Sequence, residues 1–402
     1  MIRVSTANLY LQGVQGINAD QSAVLTSIGE LSSGKQINSP ADNPVGAAQA
    51  TLLQSDLTQL GQYGTNQSQA TEMLNNASST LTQFINVVQT AQNTLVQAGN
   101  ATLSDSDRTA LAEQLQQGLN QLVGLANTSD TQGGYLFGGS VTATPPFVQN
   151  GNTVTYAGDN VVQGLQISQS RTEQIKYAGN SVFMEIPTGN GTFTTAATAT
   201  NTGTGTISGG SVTAPSSLTG DSYSISILPG GTNYQVTDTT KGTTVVPSTA
   251  LGSPTTSLSF DGMQMTISGT PAAGDTFTVA PSGSQSIFST MAAAIAALQT
   301  PSTTPASVAQ RTTALTTALG NAQQAMSSLT ATQSAMGAQL SELNSYTTIN
   351  GDRTLQDQTQ MSSLVDLNYA NGASKLTQQQ TEYQAALQSY SSISKLSLFT
   401  YL

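Results

Sequence analysis

Along the first third of the chain, apolar residues recur at alternating steps of three and four. Leu74, Ala77, Leu81, Phe84, Val88, Ala91, Leu95 and Ala98 keep this pattern without a miss. It runs back through Ala70, Tyr63, Leu60 and Leu53, with Gln67 and Asp56 as polar interruptions. Near the other end Leu315, Leu319, Ala322, Met326, Leu329, Met336, Leu340 and Leu343 repeat it, with Gln333 at the polar position. Such steps average about 3.5 residues per turn, which holds one helix face against a partner in a left-handed coil. Ser104, followed by Asp105 and Asp107, reads as an N-cap with acids at the positive end of the helix dipole. The helix it opens passes through Leu111, Leu115, Leu122 and Leu125 and ends before Gly133-Gly134. The spacing predicts a helical hairpin, which the C-terminal arm completes as a small bundle.

The two ends carry the same pattern more weakly. Tyr10, Val14, Ile17, Val24, Ile28 and Leu31 share a frame with Gln21 at the missing position. Leu376, Tyr383, Leu387 and Tyr390 share another, with Ile393 and Leu396 drifting to the next face. Each is a single apolar stripe with little charge opposite, and an isolated short helix of this kind is marginal in water. These stripes need each other, or copies of themselves. The residues expected to bury them are Tyr10, Val14, Ile17, Ile28 and Leu31 with Leu376, Tyr383, Leu387, Tyr390 and Leu396.

Between the arms the period changes to two. Thr153–Tyr156, Ser222–Ile227, Asn233–Val236 and Met263–Ile267 alternate like half-buried strands, separated by turns at Gly230-Gly231, Asp261-Gly262 and Gly274-Asp275. Proline agrees: none lies between Pro44 and Pro145 or after Pro305, and proline breaks helix interiors. The expected fold is α+β and multidomain: a long coiled-coil-like helical rod built from both termini, with a central, mostly antiparallel β insertion. The divisions are 1–44 with 350–402 as a terminal helix pair, 45–140 with 286–349 as the bundle, and 141–285 as the β region. Thr192–Gly210 is low in complexity and is expected to be a mobile loop. Tyr135 and Phe137, in Gly134-Tyr-Leu-Phe-Gly138, alternate like a strand; with Phe147 they are expected to pack where helices meet sheet.

Composition removes most chemistry. The chain of 402 residues has no Cys, His or Trp, 10 Lys+Arg against 21 Asp+Glu, and a net charge of −11. Thiolate metal sites, disulfides and Ser-His-Asp triads are excluded, and the acidic balance argues against nucleic acid. The longest apolar run, Met291–Leu298, is far too short to span a bilayer, and the N-terminus shows no signal-peptide pattern. No membrane insertion and no cofactor are expected. Charged residues make up only 8%, against about 25% in ordinary domains. The helix faces carry Gln, Ser, Thr and Asn instead, so identical copies can pack densely with little like-charge repulsion.

Candidate catalytic groups are thin. Ser32-Ser-Gly-Lys35 and Ser392-Ile-Ser-Lys395 have Ser-x-x-Lys spacing but lack the companion elements of that chemistry. Gly29 and Lys35 approach a P-loop, yet Gln36 stands where a hydroxyl must hold magnesium. Asp159, Glu173, Glu185, Asp221, Asp238, Asp261 and Asp275 are scattered among turns, and a glycosidase pair among them needs a shared cleft.

Leu31-Ser-Ser-Gly-Lys-Gln-Ile-Asn-Ser-Pro-Ala-Asp-Asn-Pro-Val-Gly-Ala-Ala48 resembles the N-terminal signature of the flagellin family: a helix stop at Gly34, an extended link, and a new helix from about Val45. Ala386–Leu402 and Ser268–Val279 resemble segments of its hook-associated members. Asn127–Ser140 with Thr144-Pro-Pro-Phe147 is more similar to the hook–filament junction members than to filament flagellin. The resemblance implies a non-enzymatic adaptor of the bacterial flagellum, exported unfolded through the flagellar type III channel. Terminal helices would line an inner tube, the bundle a middle layer, and the β region would project outward. Implied partners are the first hook-associated protein, flagellin, copies of the chain in a ring, and a cytoplasmic export chaperone at the C-terminal helix. The alternatives are a filament flagellin and a flagellar surface protein with a hydrolase in its centre.

Overall fold

The computed structural model describes residues 6–100, 102–130, 133–141, 143–301 and 303–395. Two compact units form, a terminal one (Met1–Thr65 with Tyr346–Leu402) and a central one (Asn66–Ser345). Two long helices, α2 (Pro44–Ala98) and α5 (Pro305–Val365), each contribute to both. With α1 (Thr6–Ser33), α3 (Asp105–Ala126), α4 (Ile287–Gln299) and α6 (Tyr369–Lys395) they make the α-helical part.

In the central unit the heptad frames of α2 and α5 supply much of the core: Leu74, Leu81, Phe84, Val88, Leu329, Met336 and Leu343 are all at most 4% exposed, while Leu319, Met326 and Leu340 are half-buried. The amide nitrogens of two polar interruptions have partners. Gln67 donates to Ile167 O at 2.8 Å and Gln333 to Thr82 Oγ1 at 2.7 Å. A buried amide with a partner fixes register where an unpaired one would cost stability. Ser104 caps α3 in a full capping box, its hydroxyl accepting from Asp107 N while the Asp107 carboxylate accepts from Ser104 N.

Among the described residues fifteen strands lie between Phe147 and Gln285, and every described pairing is antiparallel. Six form two-stranded pairs: the hairpins β1 (Phe147–Asn150) with β2 (Thr153–Tyr156) and β3 (Gly164–Ser168) with β4 (Arg171–Gln174), and the long-range pair β5 (Ile186–Pro187) with β15 (Ser284–Gln285). The remainder are β6 (Phe193–Ala197), β7 (Thr206–Ile207), β8 (Ser211–Val212), β9 (Tyr223–Ile227), β10 (Asn233–Asp238), β11 (Thr243–Ala250), β12 (Thr255–Phe260), β13 (Met263–Ser268) and β14 (Thr276–Pro281). They form a five-stranded sheet, β11-β10-β9-β14-β6, and a smaller one, β12-β13-β7, with β8 also on β13. Side chains from both sheets, including Tyr223, Ile225, Val236, Leu258, Met265 and Phe277, share one core. The outermost strand, β11, is largely exposed, contains Pro247, and slips register against β10.

Two expectations are corrected. Thr192–Gly210 is not a free loop: it supplies β6 and β7, and Thr195 and Asn201 are buried. Its turns are tied by side chains, because Asp275 accepts from Thr202 N and Gly203 N while Asn201 exchanges hydrogen bonds with Thr276. Low complexity hid strands whose β-branched threonines suit a half-buried sheet. Nor do Tyr135 and Phe137 form a regular strand; single bridges at Ser129–Tyr135 and Gly138–Ala178 hold that segment.

The aromatic expectation holds for Phe137 and Phe147, while Tyr135 is only half-buried. Phe183, on a single π turn (Asn180–Met184), meets Phe84 at 4.4 Å, Phe137 at 4.9 Å and Phe147 at 5.7 Å between ring centroids, and Phe288 adjoins Phe147 at 5.3 Å. This cluster joins α2 and α4 to the first hairpin. Beside it, buried Lys176 pairs with buried Asp130 at 2.8 Å, and the other Asp130 oxygen accepts from Gly134 N. Arg171 reaches Glu342 of α5 at 2.9 Å. The Tyr177 hydroxyl donates to Gln339, and burial pushes that phenol up to about 12.

Candidate assembly interface

The terminal unit has helices but almost no core. Its only buried large apolar side chains among the described residues are Leu60 and Tyr63. It carries most of the exposed ones: Tyr10, Leu11, Leu25, Ile28, Val45, Leu52, Ile349, Leu355, Tyr369 and Leu387, against Val96, Val148, Val161 and Val162 in the central unit. Exposed apolar surface gathered on one unit marks a binding surface.

α1 ends where Gly34 takes φ +71 and returns its N–H to Glu30 O at 2.9 Å. A Cβ there would also stand 2.7 Å from the Tyr369 hydroxyl. The link to α2 is tethered to the end of α5: Gln36 N donates to Val365 O and Leu367 N to Gly34 O, each at 2.8 Å. From there α1 and α6 run antiparallel. Glu30 meets Lys375 at 3.3 Å, Ser27 Oγ donates to Gln379 Oε1 at 2.6 Å, and Tyr10 packs on Tyr390 at 5.2 Å. Hydrogen bonding to Tyr10, then burial, pushes the Tyr390 phenol up to about 12. Gly13 lets that ring approach, since a Cβ there would lie 3.1 Å from it.

Of the residues picked from sequence, Val14, Ile17, Leu31, Leu376, Tyr383 and Tyr390 are half-buried. Tyr10, Ile28 and Leu387 stay exposed, at 53, 45 and 41%. Leu396 lies outside the described residues. Covered positions step through Gly13, Ile17, Asp20, Val24, Ser27 and Leu31 on α1, and Leu376, Gln379, Tyr383, Ala386 and Tyr390 on α6. The covered stripe of α1 therefore interleaves with the sequence frame, sharing Val14, Ile17, Val24 and Leu31. Sequence reasoning passed over Gly13, Ser27 and Gln379 because a small residue and a polar pair look like gaps in an apolar stripe; their spacing of three or four residues from Ile17, Val24, Leu31 and Tyr383 was the available signal.

The link itself is held by a carboxylate. Asp42 accepts from Ser39 N at 2.8 Å and Asn38 N at 3.0 Å, and these bonds, Ser39 first, hold its carboxyl below the ordinary 3.8. A lowered folded-state value means the contribution is complete above about pH 4 and is lost as pH falls through the folded value. Hydrogen-exchange protection at Asn38 and Ser39 is expected to fall below pH 4, and Asp42→Ala to remove protection at every pH. Equal protection in the alanine variant would rule out this role.

Residues 4–142 match the bacterial flagellin N-terminal helical region, and residues 196–281 the D2-like domain of flagellar hook-associated protein 1. A crystal structure of flagellar hook-associated protein 3 from Legionella pneumophila superposes with TM-score 0.74 at 30% identity, over 78% of this chain and 98% of that one. The chain belongs to the flagellar hook-associated protein 3 family. A Xanthomonas campestris FlgL structure agrees, with TM-score 0.71, 30% identity and coverage of 76 and 98%. The hook-associated protein 3 of Salmonella typhimurium is 27% identical over 99% of both chains. Likeness to a Salmonella phase 1 flagellin is 30% but confined to 32% of this chain. As a member of the hook-associated protein 3 family, the chain is an adaptor of the hook–filament junction in the extracellular flagellum, and its relatives are structural proteins.

Proposed function

We propose that the chain sits on the first hook-associated protein, stands in a ring of its own copies, and receives flagellin on the filament side, all through its terminal unit. The observation that carries this is the unit's composition: paired helices with a covered seam, an uncovered apolar surface, and no core of their own. Burying one large aliphatic side chain contributes about 1.5–3 kcal/mol. Repetition around a ring turns such small terms into a firm joint. Tyr10, Val14, Ile17, Ile28 and Leu31, with Leu376, Tyr383, Leu387, Tyr390 and Leu396, are the proposed assembly residues. The grouping of 1–44 with 350–402 as the assembly pair, 45–140 with 286–349 as the bundle, and 141–285 as the outward part belongs to the same reading. Before export the exposed stripe of α6 offers a cytoplasmic chaperone its seat.

No catalytic role is proposed. The central carboxylates are engaged in holding turns: Asp159 accepts from Ser140 and Val161, Asp238 from Thr240 N and Lys241 N, Asp261 from Tyr223, and Asp221 pairs with Lys241. Ser32 and Lys35 lie exposed at the end of α1. Electron microscopy of a strain lacking the chain tests the adaptor reading. Hooks without filaments and flagellin shed into the medium are expected; filaments of normal number would refute it.

A further inference from the structure

Four Asn-Gly pairs lie in the chain, at Asn150-Gly151, Asn190-Gly191, Asn350-Gly351 and Asn371-Gly372. In such a pair the glycine nitrogen can attack the preceding side-chain amide, because no Cβ shields it. The attack needs two freedoms: an amide side chain able to swing back along the chain, and a glycine N–H that is not already donating. The fold grants both to one pair.

At Asn190 both polar atoms of the side chain are held. Its Oδ1 accepts from Thr192 N at 3.0 Å and Phe193 N at 2.9 Å, and its Nδ2 donates to Gly210 O at 3.3 Å. Gly191 N is engaged as well, donating to Thr188 O at 3.1 Å. Asn350 lies inside α5, where its Nδ2 donates to Leu60 O at 3.0 Å. Asn371 lies in the first turn of α6, and Gly372 N donates to Asn368 O at 2.9 Å. Backbone held in these ways must open locally before the nitrogen reacts.

Asn150 differs at each point. It ends β1 and pairs with Thr153 of β2 across the turn Gly151-Asn152. Its side chain is exposed, and among the described residues neither that side-chain amide nor the Gly151 N–H makes a hydrogen bond. Gly151 takes φ +59, and a Cβ there would meet nothing within 4 Å, so the turn stands open to water. Gln149 Nε2 donates to Gly151 O at 3.0 Å, which leaves the glycine nitrogen untouched.

We propose that Asn150 is a site of spontaneous deamidation in the folded chain. Hydroxide removes the Gly151 amide proton, and the nitrogen attacks Asn150 Cγ. The N–Cγ bond forms, the Cγ–Nδ2 bond breaks, and the leaving nitrogen takes a proton from water and departs as ammonia, returning the hydroxide. The succinimide left behind is opened by water. Opening at Cγ gives aspartate; opening at the main-chain carbonyl gives isoaspartate, which routes the chain through Cγ. Either product places a negative charge at the hairpin tip, and isoaspartate also adds a methylene to the main chain beside the Asn150–Thr153 pair. In a protein that stays outside the cell as part of the flagellum, these products accumulate with age.

The test incubates the purified full chain at mildly alkaline pH, folded in one sample and in guanidinium chloride in another, and maps both by mass spectrometry. Isoaspartate is scored by enzymatic methyl labelling. In denaturant the four pairs should react at comparable rates. In the folded chain Asn150 should keep that rate while Asn190 and Asn350 fall behind it by about tenfold or more. Asn371, on a helix that is marginal alone, should rank second. Asn150→Gln, whose extra methylene disfavours the ring, should remove the first acidic band on isoelectric focusing and leave the melting temperature unchanged. Another pair leading in the folded chain overturns the proposal, as does folding that slows Asn150 as much as Asn190. A first acidic band that persists in Asn150→Gln overturns it too.

Discussion

Replacing Phe183 by alanine is expected to destabilise the central unit by about 3–5 kcal/mol, the range for emptying a large aromatic site in a core. The residue is fully buried, and its ring touches Phe84, Phe137 and Phe147, so no single neighbour can swing in to fill the void. Each aromatic pair adds about 0.5–1.5 kcal/mol beyond burial. At roughly 2–4 °C per kcal/mol for a domain of this size, the melting temperature should drop by about 10 °C. Val148→Ala, at a side chain 50% exposed one residue from Phe147, is the control, with an expected change within about 0.5 kcal/mol. Calorimetry of both variants checks this. A Phe183→Ala loss under about 1 kcal/mol would mean that the cluster collapses around the gap and does not hold helices to hairpin.

Removing residues 1–43 together with 369–402 is expected to leave the main unfolding transition within a degree or two of the parent while abolishing assembly. Among the described residues, the deleted helices contribute none of the large buried apolar side chains, and Leu60 and Tyr63 of the terminal unit remain. What is lost is the exposed apolar surface of α1 and α6. Scanning calorimetry reports the first half of the prediction, and complementation of a deletion strain the second. A drop of many degrees would show that the end helices support the middle of the same chain, and the division of labour drawn here would be wrong.

Much of this was legible beforehand, for physical reasons. The heptads of α2 and α5 are long enough for period to override propensity, and Ser104 announced α3 through capping chemistry alone. The sheets followed from alternation at Tyr223–Ile227 and Met263–Ile267. Three features were not legible. Phe183 sits on a π turn that no periodicity marks. Thr192–Gly210 gains its order from Asp275 and Asn201, groups distant in sequence or silent in composition. On α1, two apolar stripes lie side by side, and only the partner helix decides which is covered.

The rim of the larger sheet has a bearing on how crowded copies behave. A long outer strand normally invites a neighbour's strand to add on, and in a dense array that invitation leads to irreversible fibre growth. β11 cannot accept it along its length, because Pro247 lacks an amide hydrogen and the strand slips against β10. A strand that met this edge from another molecule would find no unbroken ladder to join, so the rim resists growth into fibres.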